Sequence, residues 1–287
     1  MESGGRSQSP SPAMEVRIWG ARGSVPTPTA ENLRVGGNTP CIEVRSASGE
    51  RFIFDAGTGI RNLGIAQPDC VGEQRNLHIF LTHFHWDHLQ GLPFFTPLYS
   101  ADNTLTFHSA CLADELRAIL ATQMSKPFFP VRFDLVAANM KFEQLGRVPV
   151  RFGAVEIASF PLHHPGGACG YTIDVGGARV VYATDHEHGD AEADARLVDV
   201  SRGADLLIYD SQYTPEEYEG HMGWGHSTWL QATRVAAAAG VKELVLFHHD
   251  PSHSDSTMFS ILDQAQREFQ NTTLAVEGMS IAVPHII

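Results

Sequence analysis

The sequence predicts an α/β protein in which two β-sheets pack together and helices cover their outer faces. Three observations carry this expectation. Short apolar or alternating runs recur from the first third of the chain onward, later runs alternate with helical patterns, and 287 residues at 43% hydrophobic and 18% charged supply a sizeable core. The same composition excludes a disordered, collagen-like or coiled-coil chain.

Taken in order, residues 1–13 are rich in Ser, Pro and Gly and read as a disordered tail, with one domain over 14–287. Strands are expected at 15–19, 41–46, 51–55, 77–82, 104–108, 150–158, 170–175, 179–184, 205–210, 243–248 and 280–284, where β-branched and aromatic residues alternate or run together. Residues 111–124 carry helical apolar spacing. A second helix, 228–239, follows the cap residue Ser227 and stops at Gly240; a third, 256–269, follows Ser254 and Asp255. Residues 92–132 interrupt the scheme, because LPFFTPLYS and KPFFPVRF flank the first helix. They read as an insertion that caps the core or, beside a site, as an aromatic lid.

Charge and cysteine usage narrow the function classes. Twenty Lys+Arg against 33 Asp+Glu give a formal −13, which argues against a broad basic footprint for DNA or long RNA and leaves room only for local attraction of an anion. Cys41, Cys70, Cys111 and Cys169 form no CxxC pair and read as reduced, mostly core thiols. Neither a secretory signal nor an apolar run of membrane-spanning length is visible, so a cytoplasmic protein with no membrane partner is expected. Fifteen histidines, by contrast, gather in clusters.

The densest is Leu81-Thr82-His83-Phe84-His85-Trp86-Asp87-His88, directly after an apolar strand. Three imidazoles and a carboxylate within six residues are poor packing material, since each buried polar group left unpaired costs about 1–3 kcal/mol. They suit a divalent transition ion. Further candidates end strands: His164 in FPLHHPGG, Asp185 after VVYAT and His248 after ELVLF. Each alone reads equally well as a turn residue; their shared placement points to one edge of the sheets.

The HFHWDH segment, with Asp55 of FDAGTG, His164, Asp185 and His248 following the same order, resembles the metallo-β-lactamase superfamily over about residues 15–286. The resemblance implies an αββα sandwich with a dinuclear metal site. In it His83, His85 and His164 would hold one ion, Asp87, His88 and His248 the other, and Asp185 would bridge them. Asp55 would orient the ligand loop without touching an ion. HPGG and the apolar-Phe-His strand ending favour His164 and His248, with the neighbours His163 and His249 as alternatives. Zn is the expected ion, and Mn or Fe accept the same donors. Lactam-hydrolysing members usually carry Cys or Ser where Asp185 stands, which speaks against a lactamase.

A proton donor is expected at His226 of GWGHSTWLQA, held by Asp210 at the end of DLLIYD. The plainer alternative is a residue before a helix cap and a turn carboxylate. This segment resembles the phosphodiesterase branch of the superfamily, which includes tRNA 3′-processing endonucleases and cyclic-nucleotide phosphodiesterases. There a His-Ser-Thr motif and an upstream acid take that role, so His226, Asp210 and Asp87 are the expected catalytic residues. Asp210 stands where the tRNA enzymes tend to have Glu, and no flexible tRNA-gripping arm is recognisable. The expected function is hydrolysis of a small anionic nucleotide diester, 3′,5′-cyclic nucleotides first. The alternatives are an RNA-processing nuclease, a lactone or thioester hydrolase and, from another class, a metal-binding sensor. Asn38, Phe128 and Phe129 are candidate substrate contacts, with turn and lid packing as their bland readings, and His249 is a candidate orienting partner. The resemblance also implies a homodimer.

Overall fold

The computed structural model of the chain describes residues 12–66 and 75–285. In chain order the strands are β1 (Met14–Gly20), β2 (Cys41–Ser46), β3 (Arg51–Phe54), β4 (Asn76–Phe80), β5 (Thr104–Ser109), β6 (Asn139–Gln144), β7 (Val150–Phe152), β8 (Val155–Leu162), β9 (Ala168–Val175), β10 (Ala178–Ala183), β11 (Leu206–Asp210), β12 (Glu243–Phe247), β13 (Thr272–Leu274) and β14 (Ser280–Val283). The helices are α1 (Gly59–Ala66), α2 (Trp86–Leu89), α3 (Ala113–Gln123), α4 (Ala191–Val200), α5 (Pro215–Tyr218), α6 (Trp229–Ala239) and α7 (Asp255–Glu268). Two seven-stranded sheets result, ordered β14-β1-β2-β3-β4-β5-β6 and β13-β12-β11-β10-β9-β8-β7. In each, one half is antiparallel and the other parallel: β3 to β6 in the first sheet, β10 to β13 in the second.

Alternation along the strands builds a layered interior. Phe52, Phe54, Phe80, Tyr171, Tyr182, Ile208 and Phe247 fill the space between the sheets. The opposite face of the second sheet packs Val181, Leu207 and Leu246 against Trp229, Ala232 and Ala236 of α6 and Met258 and Ile261 of α7. The outer face of the first sheet packs Ile53, Ile79 and Phe107 against Ile60 and Leu63 of α1 and Leu116 and Leu120 of α3. Phe54 sits at the centre, 5.0 Å from the Phe80 ring and 5.3 Å from Tyr171. Phe54→Ala is expected to lower the free energy of unfolding by about 3–5 kcal/mol, read as a reduced urea midpoint at unchanged slope.

The sheets depart from the sequence expectation in specific places. The run 150–158 is two strands, because Gly153 turns at φ 60° and lets Phe152 pair with Val155. β6 and β13 went unseen: the first is a polar edge strand, the second has three residues. Gly59 and Gly64 mask α1, yet a Cβ at Gly64 would lie 3.0 Å from the Phe95 ring, so glycine there permits close packing. The stretch 92–132 is not one insertion, since β5 inside it lies between β4 and β6. Ala13, assigned to the tail, is buried and donates its N–H to Val283 O at 2.8 Å, whereas residues 1–11 and Cys70 lie outside the described residues. Cys41 and Cys169 are buried free thiols and Cys111 is half-buried. Among the described residues no helix is long and apolar enough to cross a membrane.

Candidate metal centre

Strands of both sheets end at one edge of the sandwich, and the sequence places polar residues at or just after those ends. Asp55 follows β3, Thr82 and His83 come just after β4, His164 follows β8, Asp185 follows β10, Asp210 ends β11 and His248 follows β12. Among the described residues the non-glycine positions with positive φ are Ser24, Asp55, Asp185 and His248, at 56–62°. All four belong to this edge. Left-handed backbone disfavours L-residues, and its concentration here turns each chain sharply as it leaves the strand.

The candidate ligands meet. Donor atoms of His83, His85 and His164 lie within 4.8 Å of one another, as do those of His83, His88 and Asp185 and those of Asp87, His88 and His248. His88 Nε2 lies 3.2 Å from Asp185 Oδ2, 3.3 Å from Asp87 Oδ2 and 3.4 Å from His248 Nε2. His85 Nδ1 and His164 Nε2 are 3.1 Å apart. His85 is the exposed member of the set; the other six are buried. His163 turns away and bonds the Glu187 carbonyl through Nδ1 at 2.9 Å.

Hydrogen bonds behind the cluster decide which ring nitrogen faces inward. His88 Nδ1 donates to Asp55 Oδ2 at 2.9 Å, His164 Nδ1 to the Gly225 carbonyl at 2.8 Å and His248 Nδ1 to Gln212 Oε1 at 2.9 Å. Thr82 Oγ1 donates to Asp55 and accepts from His83 Nδ1 at 3.0 Å. Four imidazoles therefore turn their Nε2 atoms toward Asp87 and Asp185. Buried His83 Nε2 has no hydrogen-bond partner, 3.7 Å from Asp185 Oδ1. Lone pairs and carboxylate oxygens converging without a donor to match them are a poor hydrogen-bond network and a good ligand set, and the cluster fits two divalent metal ions.

Electrostatics agree. Burial, with His88 close by, pushes His83 well below the usual imidazole range, and burial likewise lowers His164. Burial opposes charge on His88 too, but Asp185, Asp87 and Asp55 overcome it and raise its basicity. Ion binding then displaces a proton, so occupancy falls as pH drops.

The expected proton donor also reaches the centre. His226 Nδ1 lies 2.8 Å from Asp210 Oδ2 and 3.8 Å from Asp185 Oδ1, and its ring stacks on His248 with centroids 4.7 Å apart. Burial disfavours the imidazolium, but Asp210 first, then Asp185 and Asp87, raise its pKa to about 9. Asp210 further accepts the backbone N–H groups of Asp185, Gln212 and Ser227, so one buried carboxylate aligns His226 with the turn that bears Asp185. Ser227 is not the helix cap: Thr228 accepts from Gln231 N, and Ser227 Oγ pairs with His188.

Other expected site residues are placed differently. The Asn38 side-chain amide donates to Glu277, and its carbonyl accepts from Ala21 and Arg22, so it braces a loop. His249 directs Nε2 away from the cluster to the Ala275 carbonyl, and burial lowers its pKa to about 3. Its backbone pairs with Ala21 and Gly23, one residue before Ser24, whose N–H reaches Asp87 Oδ2 at 2.8 Å. Phe129 packs edge-on against Phe94, whereas Phe128 is exposed. Sequence reasoning missed Ser24, Thr82, Tyr182 and Gln212, which hold ligands or Asp55. It also missed Gly23 and Gly225, where a Cβ would come within 2.4 Å of His248 Nδ1 and 2.2 Å of His164 Nδ1. Glycines facing histidines in GARGS and GWGH were the available signal.

Comparison with known proteins matches residues 50–249 to the family model described as beta-lactamase superfamily domain. The Ribonuclease Z of Archaeoglobus fulgidus is 26% identical over 322 aligned positions, covering 94% of this chain and 97% of that protein. The metallo-β-lactamase fold protein YhfI from Bacillus subtilis superposes with a TM-score of 0.70 at 20% identity, over 93% of this chain and 98% of that one. Human short-form tRNase Z superposes with a TM-score of 0.66 at 20% identity, over 94% and 99%. These two structures share the fold. With a family match over most of its length, the chain belongs to the β-lactamase superfamily, as a metal-dependent hydrolase.

Proposed function

We propose that this hydrolase cleaves phosphodiester bonds in RNA. The observation that carries the reading is the buried His226–Asp210 pair, 2.8 Å apart and aimed into the ligand cluster. A ribose alkoxide is a poor leaving group and needs a proton as the P–O bond breaks; an imidazolium at that position supplies it. A lactone or thioester opening needs that donor far less. Divalent ions in the cluster would supply Lewis acidity, lowering the pKa of water to about 7 and offsetting charge on phosphoryl oxygens.

The remaining roles fall to the protein. Asp210 holds His226 by one ring nitrogen, so the other faces the leaving oxygen. Asp55, Gln212, Thr82 and the Gly225 carbonyl keep the imidazoles fixed. The exposed ring of His85 marks the side from which substrate arrives. The preference for 3′,5′-cyclic nucleotides gives way here, because curated relatives spanning nearly the whole of both chains are named Ribonuclease Z. A net charge of −13 means that such RNA is engaged at a few local contacts, not along an extended backbone.

The protein loaded with Zn or Mn should cleave a short single-stranded RNA with kcat/KM well above that for cyclic AMP or an aliphatic lactone. Turnover of the lactone alone would sink the proposal.

A further inference from the structure

The segment 219–225, EGHMGWG, leads directly into His226. Its apolar side chains face solvent, with Met222 66% and Trp224 63% exposed, so hydrogen bonds rather than burial must hold it. His221 anchors its front, the ring stacked on Tyr213 with centroids 4.5 Å apart. Its back is held by Glu187. This buried carboxylate accepts the Gly223 N–H at Oε1 (2.6 Å) and the Gly225 N–H at Oε2 (2.8 Å), and Tyr218 donates its hydroxyl to Oε1 at 3.0 Å. Hydrogen bonds from peptide N–H groups to a carboxylate are about twice as strong as neutral ones.

These contacts close a ring through a candidate ligand. The Gly225 carbonyl accepts from His164 Nδ1 at 2.8 Å. The Glu187 N–H donates to the His163 carbonyl at 2.8 Å, and His163 Nδ1 donates to the Glu187 carbonyl at 2.9 Å. Glu187 therefore grips the residue before His164 with its backbone, and with its side chain the peptide that orients the His164 ring. We propose that Glu187 is a positioning residue of the metal centre, fixing the Gly225 peptide whose carbonyl sets the orientation of His164; the role deepens the function proposed above and rests on His164 as a ligand, whatever the substrate. Gln at 187 would have the same shape but one acceptor oxygen. Two donors meet Oε1, so the amide oxygen would settle there and its NH₂ would face the Gly225 N–H, donor against donor.

Metal uptake tests this without turnover. Cobalt(II) added to the metal-free protein, followed by its visible absorption, should bind the wild-type chain in two steps. In Glu187→Gln one step should weaken about 10- to 100-fold and the other stay within about twofold, whereas a charge lost at a distance would weaken both. Glu187→Asp keeps two acceptor oxygens on a shorter stem and should weaken the same step less; it decides the matter if Glu187→Gln does not fold. In the metal-free protein, hydrogen exchange of the Gly225 amide should accelerate at least about tenfold in Glu187→Gln. Unchanged exchange at Gly225, both steps weakened alike, or both as tight as in the wild-type chain would overturn the positioning role and leave the metal centre standing. Fewer than two cobalt ions bound by the wild-type chain would overturn both.

Discussion

His226→Ala should lower kcat on an RNA dinucleotide about 10²- to 10⁴-fold and on bis-p-nitrophenyl phosphate less than about tenfold. The difference follows from the leaving group. p-Nitrophenolate departs without a proton, whereas a ribose alkoxide does not. His226 lies outside the expected ligand set, and its Nδ1 is held 2.8 Å from Asp210 Oδ2. A purely structural role would depress both substrates alike, because a displaced ring would release the stacked His248 at 4.7 Å. Equal losses would therefore count against proton donation. Asp210→Asn should reproduce the selectivity more weakly and add a general loss, since Asp210 also anchors the Asp185 backbone.

What the sequence disclosed, and what it hid, divides along contact distance. HFHWDH was legible because its ligands are neighbours in the chain, and His164, Asp185 and His248 because each follows an apolar strand at a boundary that periodicity marks. The supporting atoms are not local. Gln212 meets His248 across 36 positions and Tyr182 meets Asp55 across 127. Neither residue type signals such a role in isolation, and only the sheet order brings them together. His249 shows the opposite error: standing next to a ligand in sequence, it faces away, because successive strand-end residues point to opposite sides. The aromatic segments after the ligand loop showed their hydrophobicity but not its arrangement, so Phe128 and Phe129 read alike, although the first is exposed and the second packs edge-on against Phe94.

Asp185→Asn should lose at least about half of the bound metal by elemental analysis and lower kcat on the order of 10³-fold, a barrier increase of about 4 kcal/mol. Asp185 is the carboxylate shared by the cluster, within 3.2 Å of His88, 3.4 Å of His248 and 3.7 Å of His83. A negative charge between two cations offsets their repulsion, and in a buried site that offset is screened little. Asn keeps the shape and tolerates the left-handed backbone at φ 56°, so the fold should survive and the loss should report charge. Thermal unfolding separates the two effects. Without metal, Asn should lower Tm, since against burial His248, His88 and His83 hold the Asp185 carboxyl well below the usual carboxylate range, and the charge they favour in the folded state is removed. With metal, the variant should gain less Tm than the wild-type chain, because stabilisation scales with the free energy of binding. Full occupancy at near wild-type turnover would mean that Asp185 is not shared between ions.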